Sequence, residues 1–541
     1  MKKLLYIFSV VAVLMVVSSC ELDLQQDPNN LSPDNASIEF VMNSVQVGMK
    51  DWFFEVTEPA SSMSRLSIQG VRDATYIGWE NPEDYDDAWE LTYTTLLSDA
   101  KTLIELADDP ETPLPVHAGI GRVIRAYVLI TTVDLFGDIP FSQALDPENL
   151  EPGPDAGADV YAAANQDLTD AIANFATGGV SPTSDLFYNG DTDAWTALAN
   201  TLKLRIAVTT KLAGGTGSTV DGLLGSVIDA GEDWAFIHGS NAAAPDSRHE
   251  FFIDNYIGGA ADYASNYMMW LMVGTNRPHG TDPRARYYFY RQADEHTGDV
   301  NEMNCVQETL PSHYDANTAW CQNNLPEGYW GRDHVDIDGI PPDGQLRTIP
   351  GVYPAGGRFD DDSATPGSAS DGLAGAGLHP LMMSFYVDFM VAEAALTMSG
   401  VSADAATRLE AGIRGSIDYV MGFGSSVADA SLEPTSTQID NYVDDVMDAF
   451  NAANSAGKME IFAEQYLIAL YGNGVEAYNF YRRSGGLPSN IQLPLVAQQG
   501  EFNRSLWYPA KAVNTNSNLN QKAALKTGGL VFWDQFAGDL N

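Results

Sequence analysis

The spacing of apolar residues divides this chain into two helical blocks separated by a long stretch with no helical period. In residues 38–56, 86–107, 115–136, 157–175 and 191–213, apolar side chains recur three and four positions apart, as on one face of an α-helix. Local signals mark several of the ends. Pro113 and Pro115 precede the third segment, Gly137 follows it where a left-handed residue is wanted, and Gly214-Gly215 follows the fifth. Residues 236–379 are instead dense in Gly, Pro, Asp and Asn, with isolated aromatics, and read as loops with short strands. Helical spacing returns over 380–400, 403–422, 436–455 and 458–483, and the tail from Gly485 is irregular again. Paired helices joined by short turns predict a mainly α fold of solenoid type, although no clean 34-residue repeat is present.

The amino terminus carries a different signal. Lys2 and Lys3 precede a 14-residue apolar run, Leu4 to Val17, interrupted only by Ser9. A spanning helix needs about 20 such residues, so the run is too short to cross a bilayer and reads as a secretory signal. Val17-Ser18-Ser19 leads directly into Cys20, which resembles a bacterial lipobox whose cysteine is lipidated. The alternative is an ordinary signal peptide cut slightly later. Residues 1–19 are therefore expected to be the signal, 20–37 a polar tether, and 38–541 a single folded unit. Its helical blocks would be 38–235 and 380–483, its insertion 236–379 and its tail 484–541.

Charge and cysteine content narrow the partners. The chain has 73 Asp and Glu against 28 Lys and Arg, a formal charge of -45. Such a surface repels phosphate backbones and anionic lipid headgroups, which argues against nucleic acid and against any membrane contact other than a lipid anchor. Of three cysteines, Cys305 and Cys321 remain once Cys20 is set aside. In an oxidising compartment they form an even pair, with two free thiols as the alternative.

Several motifs recur in the order seen in one known family. Arg125-Ala126-Tyr127 and Val133-Asp134-Leu135-Phe136-Gly137-Asp138-Ile139-Pro140-Phe141 resemble the hallmark helix end of SusD/RagB lipoproteins. Asp282-Pro283-Arg284, Phe389 to Ala394 with Ala392-Glu393, Glu464-Gln465-Tyr466 to Arg482-Arg483, and Tyr508-Pro509 with Asn514 resemble later family motifs. Ala510 to Val513 depart from the last motif where a glutamate often stands. The resemblance implies a tetratricopeptide-like helical scaffold with a loop-rich insertion. It also implies capture of oligosaccharide at the outer membrane, facing the exterior, and delivery to a SusC-like TonB-dependent transporter. Read from the residues themselves, the motif positions are fold determinants. Gly137 permits a reversal, Pro140 stops the helix from resuming, and Arg125 needs an acidic partner or solvent.

No enzymatic motif is present. The sequence lacks a Gly-x-Ser-x-Gly elbow, His-Glu-x-x-His, a phosphate loop and paired Cys-x-x-Cys, so no catalytic residue, cofactor or metal site is expected. Asp333, Asp336, Asp338, Asp343 and Asp360 to Asp362 lack the spacing of an EF-hand and read as a solvated acidic loop. Tyr76, Trp79, Trp320, Tyr329, Trp330 and Tyr353 lie among turn-forming residues outside any helical stripe. Flat rings in such settings suit the apolar faces of sugars, so these six are the ligand-binding candidates. Trp89, Tyr93, Trp195 and Trp270 fall at apolar helical positions and are assigned to packing. A surface glycoside hydrolase, or a relative capturing peptides or other nutrients, is the alternative reading. If Cys20 carries the anchor, Cys20→Ala will release the protein from membranes or block its maturation in fractionated cells. Normal membrane retention would overturn the assignment.

Overall fold

A computed structural model describes residues 37–68, 81–259, 261–336, 346–495 and 502–540. Among the described residues, the helices of ten residues or more are α1 (Ile38–Met63), α2 (Ser98–Ala107), α3 (Pro115–Phe136), α4 (Gly157–Thr177), α5 (Thr192–Thr209), α6 (Ser384–Thr397), α7 (Ala405–Gly424), α8 (Ser436–Ala452), α9 (Ser455–Ala469) and α10 (Gly474–Ser484). Their starts follow capping chemistry. Asp191, Asp404 and Asn454 each accept a first-turn backbone N–H, and Thr435 with Gln438 forms a reciprocal capping box. Pro115 sits in the first turn of α3, and Gly137 ends it at φ 77°. A side chain at Gly137 would also collide with the Leu530 carbonyl, so only glycine fits.

The periodic segments form helices, with three differences. The 86–107 segment is continuous but widens into a π-turn over Leu91–Leu97. The 380–400 segment opens as a strand, Leu378–Met382, paired antiparallel to Trp234–Ile237 before α6 begins. The 458–483 segment is two helices, α9 and α10. Gly472, at φ 96°, turns the chain between them. Asn473 then caps α10, accepting the Glu476 N–H at 3.0 Å while donating to the Pro380 carbonyl at 2.8 Å.

Consecutive helices pack on one another: α2 on α3, α3 on α4, α4 on α5, α6 on α7, α7 on α8 and α8 on α9. Packing of α1 on α10 and of α5 on α6, with lesser contacts of α10 on α3 and α5, ties the blocks together. One hydrophobic core results, running from Met42 through Trp195 and Phe389 to Leu540, so residues of both blocks and of the tail share it. The insertion adds two small cores. One is Phe252, Tyr256, Tyr290 and Ile349; the other is Met303, Cys305, Trp320, Cys321 and Trp330. The fold is mainly helical, and its strands are short antiparallel pairs.

The resemblance motifs meet in a buried polar network. Asp134 on α3 accepts from Arg205 on α5 at 2.7 Å, Asn479 on α10 at 2.8 Å and Trp533 of the tail at 2.9 Å, and also from the Tyr161 hydroxyl on α4. Arg205 donates in turn to Glu476 on α10. Nearby, Glu393 on α6 receives Arg483 through Nη2 at 2.8 Å and Lys211 at 2.9 Å. Arg125 finds its acidic partner in Asp167, through Nε at 2.8 Å and Nη2 at 2.5 Å.

Burial alone would raise the Glu393 carboxyl, but Arg483 and Lys211 outweigh it and hold it down at about 2. A depressed carboxylate contributes stability above its unfolded value near 4.5, and that contribution is lost as pH falls toward 2. Glu393→Gln strands two buried cations and is expected to cost about 3–5 kcal/mol. Denaturant titrations at neutral pH will show that loss, and the variant's stability will fall less steeply than the parent's between pH 4.5 and 2.

Candidate functional site

Tyr76 and Trp79, like Cys20, lie outside the described residues. The other four candidate aromatics are packed inside. Trp320, Tyr329, Trp330 and Tyr353 are 4%, 6%, 2% and 0% exposed, so none offers an open ring face, which corrects the expectation of exposed platforms. Trp320 and Trp330 pack around the bond joining Cys305 to Cys321, whose Cα atoms are 5.8 Å apart. Tyr329 donates its hydroxyl to Asp360 at 3.0 Å and lies under the Arg291 guanidinium, while Tyr353 stacks on Tyr288 with centroids 5.4 Å apart. An irregular backbone here is not a solvated one, because the insertion folds partly over small cores of its own, which take Trp320 and Trp330, and partly onto the main core, which takes Tyr329 and Tyr353.

The acidic residues are corrected in the same way. Asp333, Asp336 and Asp360 are buried rather than solvated. Asp333 accepts from Gln492 at 2.7 Å, the Cys321 backbone at 2.8 Å and Asn266 at 3.1 Å. Asp336 pairs with Arg332, and Asp360 with Arg291. Asp338 and Asp343 lie outside the described residues. Of the aromatics assigned to packing, Trp195 and Trp270 are buried, and Trp89 and Tyr93 are half-buried against the main core.

An open cleft of about 640 Å³ runs between α5, the 224–232 turn and the starts of α6 and α7. Its size is that of a small-molecule site. Asp193, Asn200, Asp229, Glu232, Asp388 and Arg408 contribute polar groups to its lining, which contains no tryptophan or tyrosine. Arg408 holds Asp388 at 2.7 Å, but burial prevails and raises the Asp388 carboxyl above its usual value. Amide, carboxylate and guanidinium groups around one cleft can exchange hydrogen bonds with a ligand bearing many hydroxyls.

A second grouping was not visible in the sequence. The strand Trp234–Ile237 runs into His238, His249 caps a short helical turn that begins with Glu250, and His379 stands opposite Phe236 in the partner strand. These four residues bring one ligating atom each within 4.8 Å of one another. The histidines are buried, and His238 Nδ1 and Nε2, His249 Nε2, His379 Nε2 and Glu250 Oε2 have no hydrogen-bond partner. A buried polar atom left unsatisfied costs about 1–3 kcal/mol, so several together need an explanation. Burial pushes the His238 and His379 imidazoles down to about 3, leaving them neutral, as metal ligands must be. The only local trace in the sequence is the His249-Glu250 dipeptide; the expectation of no metal site rested on the absence of a contiguous motif.

Taken together, these features define a mainly helical protein with an open polar cleft, and no described helix is long and apolar enough to cross a membrane. A family model described as starch-binding associating with outer membrane matches residues 28–501, and the chain belongs to this SusD/RagB family. Solved structures share the fold. A SusD/RagB family protein of Bacteroides thetaiotaomicron is 19% identical, with a TM-score of 0.67, over 93% of this chain and 100% of that one. A chitin-binding protein is 18% identical, with a TM-score of 0.65, over 89% and 94%. A SusD homolog of Bacteroides fragilis is 18% identical, with a TM-score of 0.63, over 89% and 94%. At such identities the likeness is one of fold. No curated protein matches the chain.

Proposed function

We propose that this chain is a lipid-anchored protein of the outer cell surface that captures oligosaccharide and passes it, uncleaved, to a SusC-like TonB-dependent transporter. The observation that carries the reading is the family match over residues 28–501, since that family is described as starch-binding and associated with the outer membrane. The polar cleft supports it by supplying hydroxyl-reading groups at a suitable size. Cys20 is the proposed attachment point. Trp79, with Tyr76, is the proposed stacking platform, now that the other four rings are assigned to cores. The charge of -45 suits a neutral ligand better than an anionic one.

Sugars bury little apolar area, so one or two stacked rings can dominate a weak affinity, with Kd of about 1 mM to 1 μM. Calorimetric titration with starch and chitin oligosaccharides, chosen from the family description and from one structural neighbour, tests this alongside product analysis. The parent will bind at least one and produce no new reducing ends. Trp79→Ala will lose detectable binding at unchanged melting temperature. Trp330→Ala, a core truncation, will instead lose about 3–5 kcal/mol of stability. New reducing ends would establish a hydrolase, and parental binding by Trp79→Ala would place the platform elsewhere.

A further inference from the structure

We infer that His238, His249, Glu250 and His379 form a structural zinc site that ties together the two ends of the loop-rich insertion. The donor set comes first. Three imidazoles and one carboxylate favour a late first-row divalent ion over calcium or magnesium, which prefer all-oxygen shells. The geometry is close to what such an ion takes. A tetrahedral zinc with ligands at 2.0–2.1 Å wants neighbouring donors about 3.3 Å apart. Glu250 Oε2 already stands 3.3 Å from His379 Nε2 and 3.9 Å from both His238 Nε2 and His249 Nδ1. All four donors lie within 4.8 Å of one another, so the widest pairs would have to draw in by up to about 1.5 Å to close on an ion. The His249 Nδ1 lone pair now accepts the Phe251 backbone N–H at 3.1 Å and would exchange that contact for the metal.

The surroundings fit a metal held by one carboxylate oxygen. Lys50 on α1 sits 2.5 Å from Glu250 Oε1, which leaves Oε2 for the ion, and Asp51 at 2.9 Å from Lys50 adds a counter-charge. Phe53 and Phe54 of α1 lie against the His379 ring, with centroids 5.4 and 6.5 Å away, and shield the site. Four protein ligands and buried imidazoles leave no open coordination position, which is the arrangement of a structural rather than a catalytic zinc. His238 lies where the insertion leaves the first helical block and His379 where it rejoins the second. An ion there would fix the insertion's base independently of any glycan.

The test uses the full mature chain stripped with chelator and titrated with zinc chloride, read by metal analysis, competition with a chromogenic chelator and thermal melts. One zinc per chain will bind and raise the melting temperature. Cobalt(II) in its place will give the visible bands of a four-coordinate site. Glu250→Gln, nearly isosteric, replaces the one anionic ligand with a neutral amide and will measurably weaken zinc binding with its circular dichroism intact. His379→Ala will abolish binding, while His296→Ala, outside the cluster, will bind as the parent does. Should His379→Ala fail to fold, Glu250→Gln decides. No stoichiometric zinc in the parent, or parental affinity in Glu250→Gln, would overturn the site.

Discussion

Asp134 is a carboxylate wholly removed from water that receives four hydrogen bonds from four different parts of the chain. The donors are Tyr161 on α4, Arg205 on α5, Asn479 on α10 and Trp533 in the tail. Arg205 extends the network to Glu476, and Arg482 closes on the Asp134 carbonyl at 2.7 Å. A buried ion pair adds little over a packed apolar core, yet breaking one leaves an uncompensated charge at about 3–5 kcal/mol. The helical blocks on either side of the insertion therefore cannot part without stranding charges inside. The Asp-Leu-Phe-Gly-Asp stretch is accounted for at this point: Asp134 holds the network, Gly137 makes the reversal, and the Asp138 side chain receives the Gly157 N–H at the start of α4.

Much of this scaffold was legible in the sequence because helices that bury one face must repeat apolar residues at their own period. The bounds of α3 fall where Pro115 and Gly137 place them. Short-range competition explains the misreadings. Gly472 and Asn473 interrupt an apolar pattern that runs on through α9 and α10. Pro380 lies in a strand whose apolar run imitates a helix start. The insertion was harder, because period says nothing about burial once regular structure is gone. Trp330 looks exposed among Gly, Asn and Asp, yet those same residues let the backbone fold over it. Asp333 looks solvated for the same reason and is instead a junction for three segments.

The site was less legible than the fold. The cleft between α5, α6 and α7 is built of ordinary polar residues whose convergence depends on packing between the blocks. The histidine cluster draws on the two ends of a long insertion, and no local spacing announces it. A sequence motif marks chemistry only where its residues share one element. Here the chemistry-bearing side chains are assembled across elements, on a scaffold whose two helical blocks are joined at the Asp134 network. Such a division suits a binding protein, in which a fixed core presents loops and clefts that vary in sequence.

The unity of the two helical blocks is the claim on which the rest stands, and native-state hydrogen exchange tests it directly. The slowest amides of α3 and α10 should open with the same free energy, and Asp134→Asn should lower both by the same amount, because each helix loses its partner when the other leaves. Exchange of α10 at markedly lower free energy, with α3 still protected, would show two separable units and contradict the network's role.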